Sequence, residues 1–467
     1  MSEHNRYSPL LPPLPDPVAG EHHWGRLYGS SKALTVSQAA SRAGCPVLIL
    51  TRDSLSASRL LEELHFFRDP DIGLELLPFP DWETLPYDPF SPYQDIVSER
   101  LKTLSRLPNA RHVVLVASIT TLMHRLMPRD YLLSHSLVLE QGQKIDLDDF
   151  RKQLTEAGYV FTAQVMQHGE AATRGSLLDI FPMGASRPFR IDLFDDEIDS
   201  IREFDPESQR SMDTMSSVHV LPAREVALID EGIARFRQGW RARFEGNPNQ
   251  CPVYRDVSQG LAPAGIEYYL PLFYPETNSL FDYLSDDTLL FLDENVGDAA
   301  DTFWKDIGDR YEQMRHDRER PLLPPEEMFF SPEQVSERIK PMSRIAITSM
   351  MQEDLPGAVN FATTLPAPLP IDARSGNPLA IVKKFLNEFE GRILFVAESA
   401  GRRETLLELF SENAIKPTVV SDWHDFLSRR IQLGLTVSIL EHGAQIDDPP
   451  FAVISESQLF GERVMQR

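Results

Sequence analysis

Pro46-Val47-Leu48-Ile49-Leu50-Thr51 is a short apolar run and reads as a buried strand. Ser54-Leu55-Ser56-Ala57-Ser58 follows it, with Leu55, Leu60, Leu61 and Leu64 at helical spacing. Arg111-His112-Val113-Val114-Leu115-Val116 repeats the strand, and Thr120-Thr121-Leu122-Met123 opens a second helix. Strands alternating with helices make a mostly parallel sheet with helices on its faces. The fold class of residues 25–135 is therefore α/β.

The pattern changes further along. In residues 136–221 a short helix, Asp146 to Ala157, carries Phe150, Leu154 and Ala157 on one stripe. After Gly158 the period becomes two. Ser176–Pro182, Pro188–Asp195, Asp199–Phe204 and Ser217–Leu221 each read as a strand, which makes a β-rich insertion. Residues 222–335 return to helix and strand, with a helix over Ile229–Phe244, a buried strand Thr288–Asp293 and a helix over Ala299–Met314. Neither 25–135 nor 222–335 looks like a complete α/β layer, so the two are expected to form one split domain. Residues 1–24 read as a tail and 336–364 as a linker. A Pro-rich approach at Pro366, Pro368 and Pro370 announces a separate small α/β domain over 365–467, with strands at Arg392–Ala397, Thr436–Leu440 and Phe451–Ile454 and a helix over Ser399–Phe410.

The length of 467 residues suits about three domains of roughly 150 residues each. The net charge of −24 argues against a body built to coat nucleic acid, which needs clustered Lys and Arg, but leaves room for a local basic patch. Two cysteines, Cys45 and Cys251, exclude a disulfide scaffold and a zinc ribbon. Residues Met1 to Pro17 lack the basic start and apolar stretch of a signal peptide. No window of 18 uninterrupted apolar residues exists, so no membrane partner is expected and the location reads as cytoplasmic.

A nucleotide site needs a glycine-rich loop whose amides cradle phosphate, then Lys and a hydroxyl residue. The nearest stretch is Leu27-Tyr28-Gly29-Ser30-Ser31-Lys32-Ala33-Leu34. It has one glycine, the wrong spacing, and Ala33 where the hydroxyl belongs. Leu290-Phe291-Leu292-Asp293-Glu294 has the shape of the acidic half of such a site, although Asp and Glu after a strand are also common turn formers. Gly29, Lys32, Asp293 and Glu294 together read as a degenerate nucleotide site. No paired-histidine metal spacing and no nucleophile elbow occur, His442-Gly443 and His168-Gly169 read as turns or caps, and no catalytic or metal-binding residue is assigned.

Pro188-Phe189-Arg190-Ile191-Asp192-Leu193-Phe194-Asp195 stands apart. In a strand, Phe189, Ile191 and Leu193 share the core face, while Arg190, Asp192 and Phe194 share the other. Arginine beside an exposed aromatic is what interface centres concentrate. The same pattern also fits an Arg190 paired with a neighbouring carboxylate and a Phe194 covered by another segment. Arg174, opening toward Gly175, could lie on the same face. Asp81-Trp82-Glu83-Thr84-Leu85-Pro86-Tyr87-Asp88-Pro89-Phe90-Ser91-Pro92 reads as a rigid connector.

These residues resemble a known family. Trp82–Asp88 with Ser91–Leu101, Val165–Gly175, Asp179–Gly184, Phe194–Asp199, Gly265–Pro271 and Phe460-Gly461-Glu462-Arg463 are similar to the N-terminal part of the bacterial transcription-repair coupling factors, the Mfd family. The resemblance implies a UvrB-like split α/β domain of degenerate helicase type, units 1A and 1B, with the β-rich domain inserted. It implies that the inserted domain binds UvrA, the damage-recognition ATPase of nucleotide excision repair, through positions matching Arg174, Arg190 and Phe194. It implies that ATP and Mg, RNA polymerase and double-stranded DNA belong to domains that would follow residue 467, so that this chain needs no cofactor, is no enzyme and reads as a fragment. The competing expectation is a vestigial nucleotide-binding or DNA-binding helicase-like domain with residual activity.

Overall fold

The computed structural model describes residues 6–15, 20–352, 355, 357–372 and 376–461. Along the chain, β1 (Gly20–Gly25) leads into helix α1 (Ser31–Ala43), and β2 (Val47–Thr51) into α2 (Ser54–Phe67). β3 (Glu75–Phe79), α3 (Gln94–Arg106) and β4 (Val113–Ser118) complete the first segment. The α2 start is set by Asp53, whose carboxylate accepts the Ser56 amide at 2.7 Å, the usual use of Asp before a helix. The insertion supplies β5 (Leu137–Glu140), β6 (Val160–Phe161), β7 (Glu170–Arg174), β8 (Leu177–Ile180), β9 (Phe189–Phe194), β10 (Glu197–Phe204), β11 (Ser211–Met215) and β12 (Ser217–Val220). The chain then returns with β13 (Leu289–Leu292), β14 (Ser343–Ile347) and β15 (Ala358–Asn360). β16 (Thr363–Thr364), β17 (Arg392–Ala397), β18 (Thr418–Val419), β19 (Leu433–Val437), β20 (Ala444–Asp447) and β21 (Pro450–Ser455) make the last unit.

The first and third segments interleave in one sheet of order β15-β1-β14-β13-β2-β4-β3, and every pairing in it is parallel. This is the split α/β domain expected from the alternation of strands and helices. Two side-chain seams hold its parts. Arg100 on α3 donates to Glu225 at 2.6 Å, with both side chains buried and the guanidinium over Phe79 and Trp82. His168 bridges the insertion to α3, meeting Asp95 at 2.7 Å and the Ala185 carbonyl at 2.8 Å. The insertion is a sheet of order β11-β10-β9-β8-β7-β6, antiparallel except at β6–β7, with a β5–β12 pair beside it.

Three expectations need correction. Residues 1–24 are not only a tail, because Gly20–Gly25 is a strand between β14 and β15. Its Gly-Glu-His-His-Trp-Gly sequence hides this, since only Trp24 and Gly25 are deeply buried. Residues 336–364 are not a linker, because β14 and β15 lie in the same sheet and Ile345 and Ile347 are buried there. The 365–467 unit is not separate. Its sheet, order β16-β20-β21-β17-β19-β18, packs through the α1–α2 layer onto the first sheet. Val47, Ile49, Leu34, Leu64, Phe451 and Val453 belong to one hydrophobic core. Trp423 stands edge-on to Phe67 at 5.3 Å, closing the seam. Smaller shifts occur as well. The strand expected at Thr436–Leu440 runs over Leu433–Val437, and the helix opening at Thr120 is a single turn, Ile119–Leu122. Glu462 and Arg463, quoted for the resemblance, lie outside the described residues. No helix among the described residues is long and apolar enough to cross a membrane.

Candidate functional site

The β9–β10 hairpin builds the candidate face. Alternation along β9 buries Phe189, Ile191 and Leu193 and turns Arg190, Asp192 and Phe194 to the opposite side. Phe194 pairs with Glu197 across a two-residue turn, where Asp195 takes a left-handed φ of 60°. The turn is held from outside by the Ile145 amide on the Asp196 carbonyl (2.8 Å) and by Lys144 on the Asp196 carboxylate (3.1 Å). Phe194 is 80% exposed at its end, against 7% or less for the three β9 core residues. An exposed aromatic on an anchored turn loses little entropy when a partner covers it.

Arg174, Leu177 and Asp192 are in register across β7, β8 and β9, so Arg174 lies on the same face as Phe194, two strands away from it. It is exposed and donates to the Ala163 carbonyl at 2.6 Å. Arg190 is different. Its Nε and a terminal nitrogen meet both oxygens of Asp179 at 2.8 Å, and its guanidinium lies 4.8 Å from the Phe204 ring. Asp179 is 6% exposed, and Val165, Ala172, Phe181 and Phe204 form a small apolar cluster on that side of the sheet. Both alternatives left open for this strand hold in part: Arg190 is paired with a neighbouring carboxylate, and Phe194 is uncovered. The sequence reading missed Asp179. Its place directly opposite Arg190 follows from strand register, which alternation alone does not supply. A cleft of about 550 Å³ lined by Glu140, Gln141, Glu197, Asp199, Ser216 and Ser217 opens beside the turn and makes its surroundings acidic.

The four residues expected to mark a degenerate nucleotide site, Gly29, Lys32, Asp293 and Glu294, lie near the start of α1. Lys32 Nζ lies 2.8 and 2.9 Å from the two oxygens of Asp293, which directly follows β13. Glu294 turns the other way and accepts from the Thr348 hydroxyl at 2.6 Å and from the Ser349 amide at 2.5 Å. Burial raises its carboxyl, but these donors outweigh burial and hold it below its usual range. Gly29 is left-handed, φ 53°, and a Cβ there would overlap the Gly443 carbonyl. The Ser30 amide donates to that carbonyl at 3.1 Å. His442-Gly443, read as a turn or cap, thus sits over the cradle, which no sequence spacing signals. In the Asp81–Pro92 connector, Trp82 and Tyr87 are buried, and Arg310 and Arg320 hold the Pro86 and Asp88 carbonyls, while Phe90 is exposed. Asp69, Asp71 and His424 could offer three metal-ligating atoms, but Asp69 already caps a helical turn by accepting the Asp71 amide.

Comparison with known proteins agrees with this architecture. A family model described as the UvrB interaction domain matches residues 137–226, and one described as the MFD D3 domain matches residues 385–459. A transcription-repair-coupling factor from Haemophilus influenzae is 40% identical over 452 residues, covering 95% of this chain and 38% of the relative. The Escherichia coli factor is 38% identical over 468 residues, covering 100% of this chain and 40% of the relative. One from Rickettsia bellii is 26% identical over 89% of the chain. The chain spans about two fifths of the length of these two first relatives. With both domain matches on the β-rich insertion and the last α/β unit, the chain belongs to the transcription-repair-coupling factor family, as its N-terminal, UvrB-like region.

Proposed function

We propose that this chain is the recruiting module of a transcription-repair coupling factor: it captures UvrA through the β9–β10 face and so brings excision repair to stalled RNA polymerase. The observation that carries this reading is the 80% exposed Phe194 on an anchored turn, inside the segment that matches the UvrB interaction domain. Phe194 supplies the apolar anchor. Arg174 supplies a charge-assisted donor on the same face, two strands away on β7, and Arg190 with Asp179 ties β9, which presents Phe194, to the β8 strand between them. The acidic cleft next to the turn calls for a basic rim on the partner. ATP-driven translocation, with its Mg, and the contacts to polymerase and double-stranded DNA are assigned to sequence outside this chain, which needs no cofactor for capture and turns over no nucleotide.

Titration calorimetry of the chain against UvrA tests the reading. Phe194→Ala should weaken binding by ~30-fold, about 2 kcal/mol at an interface centre. Undiminished affinity in that variant would overturn the assignment. ATP turnover by the isolated chain that disappears in Asp293→Ala would overturn the non-enzymatic half.

A further inference from the structure

The loop before α1 follows a strand of a parallel sheet and carries Lys32 in the first helical turn, with Asp293 ending a nearby strand. That is where the amides of a phosphate-binding loop would face an anion. In this chain the place is filled from within. Ser30, the residue before α1, makes no side-chain cap, and its amide donates to the Gly443 carbonyl instead. The fit leaves no slack: a Cβ on Gly29 would overlap Gly443, and one on Gly443 would overlap the Val453 carbonyl and the Gln458 side chain. At the rim, Arg59 on α2 meets Glu441 at 2.8 Å. Behind it, Glu63 is 8% exposed, among Lys32, Asp293, Arg59 and Glu441. A buried carboxyl beside two other acids is a poor lining for a polyphosphate. Lys32, spent on Asp293, is not free to offset it.

We infer that the vestigial nucleotide cradle has become an intramolecular socket: the Glu441-His442-Gly443 loop occupies the phosphate position and fastens the C-terminal α/β unit to the split domain, so that nucleotide and this unit exclude one another. The socket works by ordinary helix-end chemistry. The first amides of a helix need an acceptor, and a fixed carbonyl from the neighbouring unit supplies one without bringing a net charge.

Hydrogen exchange on the whole chain tests this. Gly29→Ala should speed exchange at Ser30 and over residues 440–446 at least tenfold, while the β-rich insertion keeps its wild-type rates. The combined Arg59→Ala and Glu441→Ala variant alters only the partly exposed rim and should give a smaller, two- to fivefold increase at the same places. Wild-type chain titrated with millimolar Mg·ATP should show no change in protection anywhere. Unchanged protection of 440–446 in both variants would overturn the inference. So would Mg·ATP protection of Ser30–Ala33 in wild-type chain with residues 440–446 still protected.

Discussion

The cradle at the start of α1 and the face at the end of β9 are both built from charged residues beside glycine or turn positions, yet they are finished in opposite ways. In the cradle the charged groups and the Ser30 amide have partners inside the chain: Lys32 has Asp293, Glu294 has Thr348 and Ser349, and the Ser30 amide has Gly443. On the hairpin face the largest apolar side chain, Phe194, has no cover. Residue types that could serve a ligand act here as internal struts, and a residue with no internal use is left displayed. A motif's residue types thus say less about function than whether the fold has already satisfied them.

The sharpest test of this contrast separates binding from stability. Arg190→Ala with Phe194→Ala should reduce UvrA affinity by at least the ~30-fold, about 2 kcal/mol, expected of Phe194→Ala alone, because the anchor and the strut that holds its strand are both lost. Phe194→Ala alone should leave the melting temperature unchanged. Arg190→Ala alone should lower it, because Asp179 is then buried without its partner. Equal melting temperatures for the two single variants would erase the distinction between strut and anchor. Lys32→Ala should do the reverse of Phe194→Ala. It leaves Asp293, 11% exposed, without its counter-ion and with only the Glu294 amide, and should cost roughly 1–3 kcal/mol in denaturant unfolding, with UvrA affinity unaffected.

A smaller effect is a pH signature of the cradle. Burial, the largest cause, pushes the Glu63 carboxyl up to about 8, with Glu441 and Asp293 adding to it and Lys32 and Arg59 opposing it. A raised folded-state value means that the protonated form stabilises the fold. That contribution is complete below the ordinary carboxyl value of about 4.3 and is lost as pH rises to about 8. Melting temperatures of wild type and Glu63→Gln, measured from pH 5 to 9, should therefore diverge, with the wild type falling more steeply up to about pH 8 and running parallel beyond it. Parallel curves throughout would show that Glu63 is ionised in the fold. The smallest effect is expected at the rim. Arg59→Ala removes a pair in which both side chains are a third or more exposed, and it should change global stability by no more than about 0.5 kcal/mol.

Much of this was legible before the structure. The runs at Val47–Thr51, Leu289–Leu292 and Arg392–Ala397 announced themselves by composition, because strands buried on both faces must be apolar throughout. The alternation in Phe189–Phe194 assigned its two faces correctly. Gly20–Gly25 was not legible, since a polar strand in a parallel sheet is recognisable only from its neighbours β14 and β15. Asp179 was not legible as the partner of Arg190, because their pairing depends on the register of β8 against β9.

The sequence by itself determined the α/β class, the β-rich insertion, the departure of the Gly29–Leu34 stretch from phosphate-loop spacing and the candidate residues Arg174, Arg190 and Phe194. All of these follow from local periodicity, from residue chemistry or from family resemblance, and none requires knowing what lies across space. Only the tertiary structure decided that the last unit shares a core with α1 and α2, that Gly443 fills the cradle, and that Arg190 is tied to Asp179 while Phe194 stands free. These depend on contacts between residues far apart in the chain. Whether a polar group is satisfied or exposed is a property of those contacts and not of the residue that carries it.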